Sequence, residues 1–277
     1  MSLVSTNWLE KNLSKVKIFD ASWHMPNTKR NAKKEYINCH IPKAIFWDLD
    51  EHSDKDSPFP HMMPNSDNWG KMLSSFRIKS DDHIIVYDSS EVYSACRLWF
   101  SLKYFGHKKV SVLDGGLKKW LNEKKIITNK IEKIPLIQNY KEYIASQDIA
   151  FLIKDINQIK ENIKNESFIL VDGRSRDRFE GKVEEPRPGL KKGCIPKSKN
   201  IPFEKCINLK TNTFKTKDEL AEVFNENNVD YFKSNVFSCG SGVTACVLGL
   251  AYFLISGKNA VIYDGSYAEW GKLNEKI

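Results

Sequence analysis

The segment Leu113-Asp114-Gly115-Gly116-Leu117-Lys118-Lys119-Trp120 returns 150 positions later as Tyr263-Asp264-Gly265-Ser266-Tyr267-Ala268-Glu269-Trp270. Three further landmarks recur in the same order. Ile84-Ile85-Val86-Tyr87-Asp88, leading to Ser94-Ala95-Cys96, matches Asn235-Val236-Phe237-Ser238-Cys239, leading to Thr244-Ala245-Cys246, and the two closing cysteines are again 150 apart. His40-Ile41-Pro42-Lys43-Ala44 matches Cys194-Ile195-Pro196-Lys197-Ser198 at an offset of 154, and Phe19-Asp20-Ala21-Ser22 matches Val171-Asp172-Gly173-Arg174 at 152. Solenoid units run to about 20–45 residues, so a period this long means two copies of one whole domain. The pattern lapses from Ile134 to Gln147, where Pro135 and polar residues interrupt it. A linker is expected there, between an N-terminal domain at 1–140 and a C-terminal domain at 148–277, each of ordinary size.

Within each copy, short β-rich runs alternate with helical patterns. Val16–Phe19, Ile84–Tyr87 and Val110–Leu113 read as strands, and Phe168–Val171, Val236–Ser238 and Ala260–Tyr263 are their counterparts. Val243–Ser256 is nearly all apolar and stops before Gly257, which reads as a buried helix with a glycine terminator. Strand, crossover helix and strand imply a parallel sheet covered on both faces. The expected fold class is therefore α/β, with two tandem domains, each a parallel sheet with helices on both faces. Ligands of such sheets bind beyond the carboxyl ends of the strands, and the loop opened by Cys239 lies at one of those ends.

Composition excludes several classes of function. No apolar run reaches the roughly 18 residues that suggest a membrane helix. Met1–Glu10 has neither the pattern of a secretory signal nor that of a transit peptide. The formal charge of +8 comes from lysines spread along the chain, without a basic stripe interleaved with aromatics. Neither nucleic acid nor membrane is an expected partner, whereas a mild positive field favours small anions. The six cysteines, Cys39, Cys96, Cys194, Cys206, Cys239 and Cys246, form no Cys-x-x-Cys pair. Free thiols in a reducing cytoplasm are expected rather than disulfides or a structural zinc.

Chemistry concentrates in Phe237-Ser238-Cys239-Gly240-Ser241-Gly242-Val243-Thr244-Ala245-Cys246. Here a strand ends, a glycine-rich loop turns and an apolar helix begins. Gly240 and Gly242 let amide groups turn inward, and the helix adds the positive end of its dipole. A thiolate at Cys239 is stabilised by such a cradle, as is a persulfide anion. The ordinary fate of a lone cysteine is that of a small buried hydrophobe, but its place between strand end and helix start favours a nucleophile. A cysteine-dependent phosphatase needs an arginine six residues on to grip phosphate; Ala245 stands there. Cys246, two helical turns on, reads as a packing residue.

With these residues the chain resembles the rhodanese family, most closely its 3-mercaptopyruvate branch. His40-Ile41-Pro42-Lys43-Ala44, preceded by Tyr36, resembles the N-terminal signature, with Lys43 where glycine is usual. Tyr263–Trp270 resembles the C-terminal signature, with Tyr267 where Trp or Phe is usual. The match runs through nearly the whole chain. Relatives that prefer thiosulfate carry Arg and Lys directly after the nucleophile; this chain has Gly240 and Ser241. The resemblance implies a sulfurtransferase passing sulfur from 3-mercaptopyruvate through a Cys239 persulfide to a thiol acceptor, such as thioredoxin or a low-molecular-weight thiol, or to cyanide. It implies no metal and no organic cofactor. A thiosulfate enzyme on the same scaffold, or a non-catalytic sulfur-binding module, are the alternatives.

The resemblance also implies roles for particular residues. Ser241 takes a catalytic part together with an Asp and a His of the other domain, which by motif position are Asp50 and His61. Read alone, His61 is a surface loop histidine and Asp50 a turn or capping residue. Arg178, in Arg178-Phe179-Glu180-Gly181, and Arg187, in Glu185-Pro186-Arg187-Pro188-Gly189, fit the two arginines that clamp a substrate carboxylate, for which a planar fork is suited. Gly240, Gly242, Val243 and Thr244 supply the cradle. Arg174 and Arg176 are expected to be structural or solvated. In the first copy the 150-residue offset sets Ser89 opposite Cys239. A serine holds no persulfide, and the loop lacks glycine and gains Glu91. The N-terminal domain is expected to be catalytically silent and to form one wall of a cleft.

Overall fold

The computed structural model describes residues 1–134, 140–146 and 150–273. The chain divides into two compact units. The first holds Met1–Lys55, Met63–Ala150 and Lys210–Thr213; the second holds Asp56–Met62, Phe151–Leu209 and Phe214–Ile277.

The first unit contains β1 (Leu3–Val4), α1 (Thr6–Asn12), β2 (Lys17–Asp20), α2 (Ala32–Asn38), β3 (Ala44–Phe46), α3 (Ser66–Ser75), β4 (Ile84–Tyr87), α4 (Ala95–Tyr104), β5 (Val110–Leu113) and α5 (Gly116–Asn122). Its strands are all parallel, in the order β1-β5-β4-β2-β3. The second contains β6 (Ile153–Lys154), α6 (Ile156–Asn165), β7 (Ile169–Asp172), α7 (Arg176–Phe179), β8 (Lys199–Asn200), α8 (Lys217–Glu226), β9 (Asn235–Ser238), α9 (Ala245–Ser256), β10 (Ile262–Tyr263) and α10 (Ser266–Trp270). Its strands are parallel in the order β6-β10-β9-β7-β8, the same topology advanced by five strands. Every residue of β4 and of β9 is buried, as parallel strands covered by helices on both faces require.

The helix expected at 243–256 begins at Ala245 and ends at Ser256, and Gly257 closes it with φ +71°. Gly249 lets α9 settle onto the sheet: a Cβ there would stand 2.7 Å from that of Ala260. Of the linker expected at Ile134–Gln147, residues 135–139 and 147 lie outside the described residues. The stretch from Tyr140 packs onto the first unit. Tyr140 Oη donates to Ile78 O at 2.7 Å, and Tyr143 N donates to Ser74 Oγ at 2.8 Å.

Matching hydrogen bonds within each unit fix which residues of the two copies correspond. Ala21 N donates to Tyr87 O and Gly173 N to Ser238 O, each at 2.8 Å. Leu117 N donates to Asp88 O at 2.8 Å, and Tyr267 N to Cys239 O at 2.9 Å. Cys239 is therefore matched by Asp88, not by Ser89. The 150-residue offset holds from Ala95 and Ala245 onward, but the loop before α4 is one residue longer than the loop before α9, so counting back from the helix misses by one.

Candidate functional site

Cys239 ends the run of β9 and opens the loop to α9. It is 2% exposed, and its main chain is hydrogen-bonded through both its N–H and its carbonyl. Its N–H donates to Ser266 Oγ at 3.2 Å, and its carbonyl accepts from Tyr267 N; Gly240 O accepts from Ala268 N at 2.8 Å. The first turn of α10 thus clasps the residue through its main chain. Gly242 takes φ +77°, and Cys246 Sγ donates to Gly242 O at 3.2 Å, buried as a packing residue. The helices α6 and α8 are closed by capping boxes, Asp155 with Gln158 and Thr216 with Glu219. By contrast, no side chain caps α9. Among the described residues the amides of Gly240, Ser241, Val243, Thr244 and Ala245 donate to no protein acceptor. A helix start with unspent N–H groups is an anion site.

The first unit displays what such a loop does with an anion. Asp88, in the place of Cys239, accepts from Ser90 N at 3.0 Å through Oδ1 and from Ala95 N, the first residue of α4, at 2.7 Å through Oδ2. The carboxylate occupies its own loop's donors. Burial nevertheless pushes the Asp88 carboxyl up to about 7, against the pull of these two amides.

Two guanidinium groups converge on Gly240: a Cβ there would lie 3.1 Å from Arg178 Nη2 and 3.7 Å from Arg187 Nη1. Arg187 Nη2 also donates to Ser241 Oγ at 3.2 Å. Arg178 is held from behind. Its Nε and Nη2 donate to the two oxygens of Glu185 at 3.1 and 2.6 Å. Glu185 also accepts from Arg174 Nη1 at 2.8 Å, while Arg174 Nε and Nη2 grip Asp172 and its Nη2 reaches Gly193 O. Arg174 is fully buried and stacks on Tyr267, 3.5 Å from the ring centre. Burial alone works against its charge, but Asp172 and Glu185 outweigh that and raise its pKa. Arg174 is structural, as expected, and Arg176 is an exposed partner of Glu180.

His61 meets Ser241 although 180 residues separate them: His61 Nδ1 and Ser241 Oγ are 3.0 Å apart. The segment Asp56–Met62, from the first half of the chain, belongs to the second unit. His61 is buried and takes φ +62°, a conformation that costs a non-glycine residue about 1–2 kcal/mol. Phe59 in the same segment lies under Lys272, 5.4 Å from Nζ to ring centre. Ser241 Oγ thus accepts from Arg187 and is paired with His61 Nδ1, and it donates its proton to that nitrogen when the imidazole carries its own on Nε2. Asp50 belongs to the first unit, where its Oδ2 accepts from Trp23 Nε1 at 2.9 Å and its carbonyl accepts from Lys55 Nζ.

Cys239, the cradle residues 240 and 242–244, Ser241, Arg178, Arg187 and His61 thus all lie in the second unit. Glu185, Asp172, Tyr267 and Ser266 escaped sequence reasoning as parts of the site. Glu185 stood in the motif used to find Arg187, and an acid two residues before an arginine was its one signal.

A profile for the rhodanese-like domain matches residues 5–123 and again 155–273. The chain is 37% identical over 278 residues to 3-mercaptopyruvate sulfurtransferase of Homo sapiens, covering 97% of this chain and 91% of that one. It is 36% identical to thiosulfate/3-mercaptopyruvate sulfurtransferase 1, mitochondrial, of Arabidopsis thaliana, covering 97% and 75%. Its fold is similar to the crystal structure of the 3-mercaptopyruvate sulfotransferase SseA of Escherichia coli, with a TM-score of 0.85 at 32% identity, covering 96% of this chain and 99% of that one. With the same topology in both halves and the family's loop at Cys239, the chain belongs to the rhodanese family and carries two rhodanese-like domains in tandem.

Proposed function

We propose that this chain is a sulfurtransferase that moves sulfur from 3-mercaptopyruvate to a thiol acceptor through a persulfide on Cys239. The observation that carries this reading is the placement of Cys239 at an uncapped helix start with two arginines over the next residue. The Cys239 thiolate attacks the donor sulfur, its carbon–sulfur bond breaks, and the electron pair leaves as the enolate of pyruvate. Arg178 and Arg187 hold the carboxylate. Ser241, coupled to His61 and, in this reading, to Asp50, delivers the proton that the enolate carbon takes up. Amides of residues 240–244 hold the persulfide anion. An acceptor thiolate then attacks the outer sulfur and restores Cys239. Thioredoxin and low-molecular-weight thiols are the acceptors this chemistry suits. The N-terminal domain is silent in this reading because its loop donors are taken by Asp88. None of the six cysteines is in a disulfide, as a reducing cytoplasm allows, and no helix among the described residues is long and apolar enough to cross a membrane.

Thiosulfate is the second reading, since two guanidinium groups beside Gly240 also suit a sulfonate and one relative is named for both donors. Pyruvate release from 3-mercaptopyruvate, compared with thiocyanate formed from thiosulfate and cyanide, decides between them. Cys239→Ser is expected to abolish both with the fold intact. Turnover retained in that variant would overturn the assignment of the nucleophile.

A further inference from the structure

Two arginines face the loop, but their combined charge is not what a donor meets. The Nε edge of Arg178 is committed to Glu185, whose side chain is 2% exposed. Glu185 also pairs with Arg174, and Arg174 is already matched by Asp172. In this buried chain two carboxylates answer two guanidinium groups. Glu185 thus offsets in the site the unit of charge that Arg178 brings, pairing with the same Nη2 that lies against Gly240. Glu204 also interacts with Arg178, but burial raises its carboxyl and weakens it as a counter-charge.

We infer that Glu185 is a specificity-determining residue that tunes the site to monoanionic sulfur donors. This deepens the proposed function and rests on it. A fixed negative charge beside the donor opposes each unit of donor charge once, so a dianion such as thiosulfate is opposed twice and a carboxylate monoanion once. At the effective dielectric of a partly buried site, one unit charge a few ångströms away is worth about tenfold or more in affinity. Arg178 supplies a directed fork for the carboxylate, and Glu185 keeps that fork from becoming a general trap for divalent anions.

The test has two arms. In Glu185→Gln, which keeps the shape and one acceptor oxygen, the ratio of kcat/KM for thiosulfate to that for 3-mercaptopyruvate is expected to rise about tenfold or more. Glu185→Asp, which keeps the charge, is expected to hold the wild-type ratio. A folded Glu185→Gln enzyme with an unchanged or lower ratio overturns the inference. The second arm needs neither variant nor turnover. Protection of Cys239 in the wild-type protein from iodoacetamide, read by mass spectrometry of its peptide, is measured with pyruvate and with sulfate. Pyruvate is expected to protect at the lower concentration, although sulfate carries twice the charge; protection by sulfate at the lower concentration refutes the inference. Absence of turnover with every donor would strike the proposed reaction and leave this protection order readable.

Discussion

Asp88 stands in the N-terminal unit where Cys239 stands in the C-terminal one, and each lends its carbonyl to the amide of a matching residue, Leu117 or Tyr267. One scaffold position therefore holds a buried carboxyl in one copy and the Cys239 thiol in the other. The carboxylate takes up N–H groups whose counterparts in the second copy meet no protein acceptor among the described residues.

This relationship gives Asp88 a measurable pH signature. Burial raises its folded-state value to about 7 from an ordinary 3.8. Between those values the native chain keeps a proton that the unfolded chain has lost, so stability falls as pH rises from about 4 to about 7 and levels off above that. Asp88→Asn removes this slope but loses one of two loop acceptors, at about 1 kcal/mol. Thermal midpoints from pH 4 to 9 are expected to show the variant less stable than wild type at pH 4 and more stable at pH 8, by about 1–3 kcal/mol. Parallel pH curves for the two proteins would contradict it.

Arg187 directs its guanidinium at Ser241 and Gly240. Arg187→Lys keeps the charge and loses the planar fork. Steady-state kinetics with 3-mercaptopyruvate are expected to show kcat/KM reduced about ten- to a hundredfold, mostly through KM, with the melting temperature unchanged.

Ser241→Ala separates proton transfer from binding. It removes the hydroxyl between His61 and Arg187 and leaves both partners in place. The expected loss is about a hundredfold in kcat with a much smaller change in KM. A loss confined to KM would assign Ser241 to binding alone.

Arg174 and Arg176 are two residues apart and predict opposite outcomes. Arg174→Met leaves Asp172 and Glu185 buried without their shared cation, which costs about 3–5 kcal/mol. Arg176→Met removes an exposed pair with Glu180 and is expected to cost less than about 0.5 kcal/mol. Denaturant midpoints of the two variants check the contrast.

Much of the architecture was legible because duplication writes the same pattern twice, and buried parallel strands such as Ile84–Tyr87 carry an unbroken apolar signal. The Cys239 loop was legible for a different reason: glycines between a strand and an apolar helix have few structural explanations. Ser89 was misplaced because an inserted residue in an irregular loop leaves no periodic trace, and only hydrogen-bond register locates it. The Asp172–Arg174–Glu185–Arg178 chain was hidden because charge pairing across turns has no fixed spacing. His61 was reached through resemblance alone; nothing in Ser57-Pro58-Phe59-Pro60-His61 announces that this short piece packs with residues nearly two hundred positions away.

That borrowed piece has a consequence for how the gene can be divided. A break near residues 140–148 would part the halves cleanly by sequence, yet it would strand residues 56–62 on the wrong fragment and leave the Ser241 hydroxyl without its imidazole. The two halves of the sequence are therefore not two separable pieces of structure: the C-terminal copy is completed by seven residues of the N-terminal half.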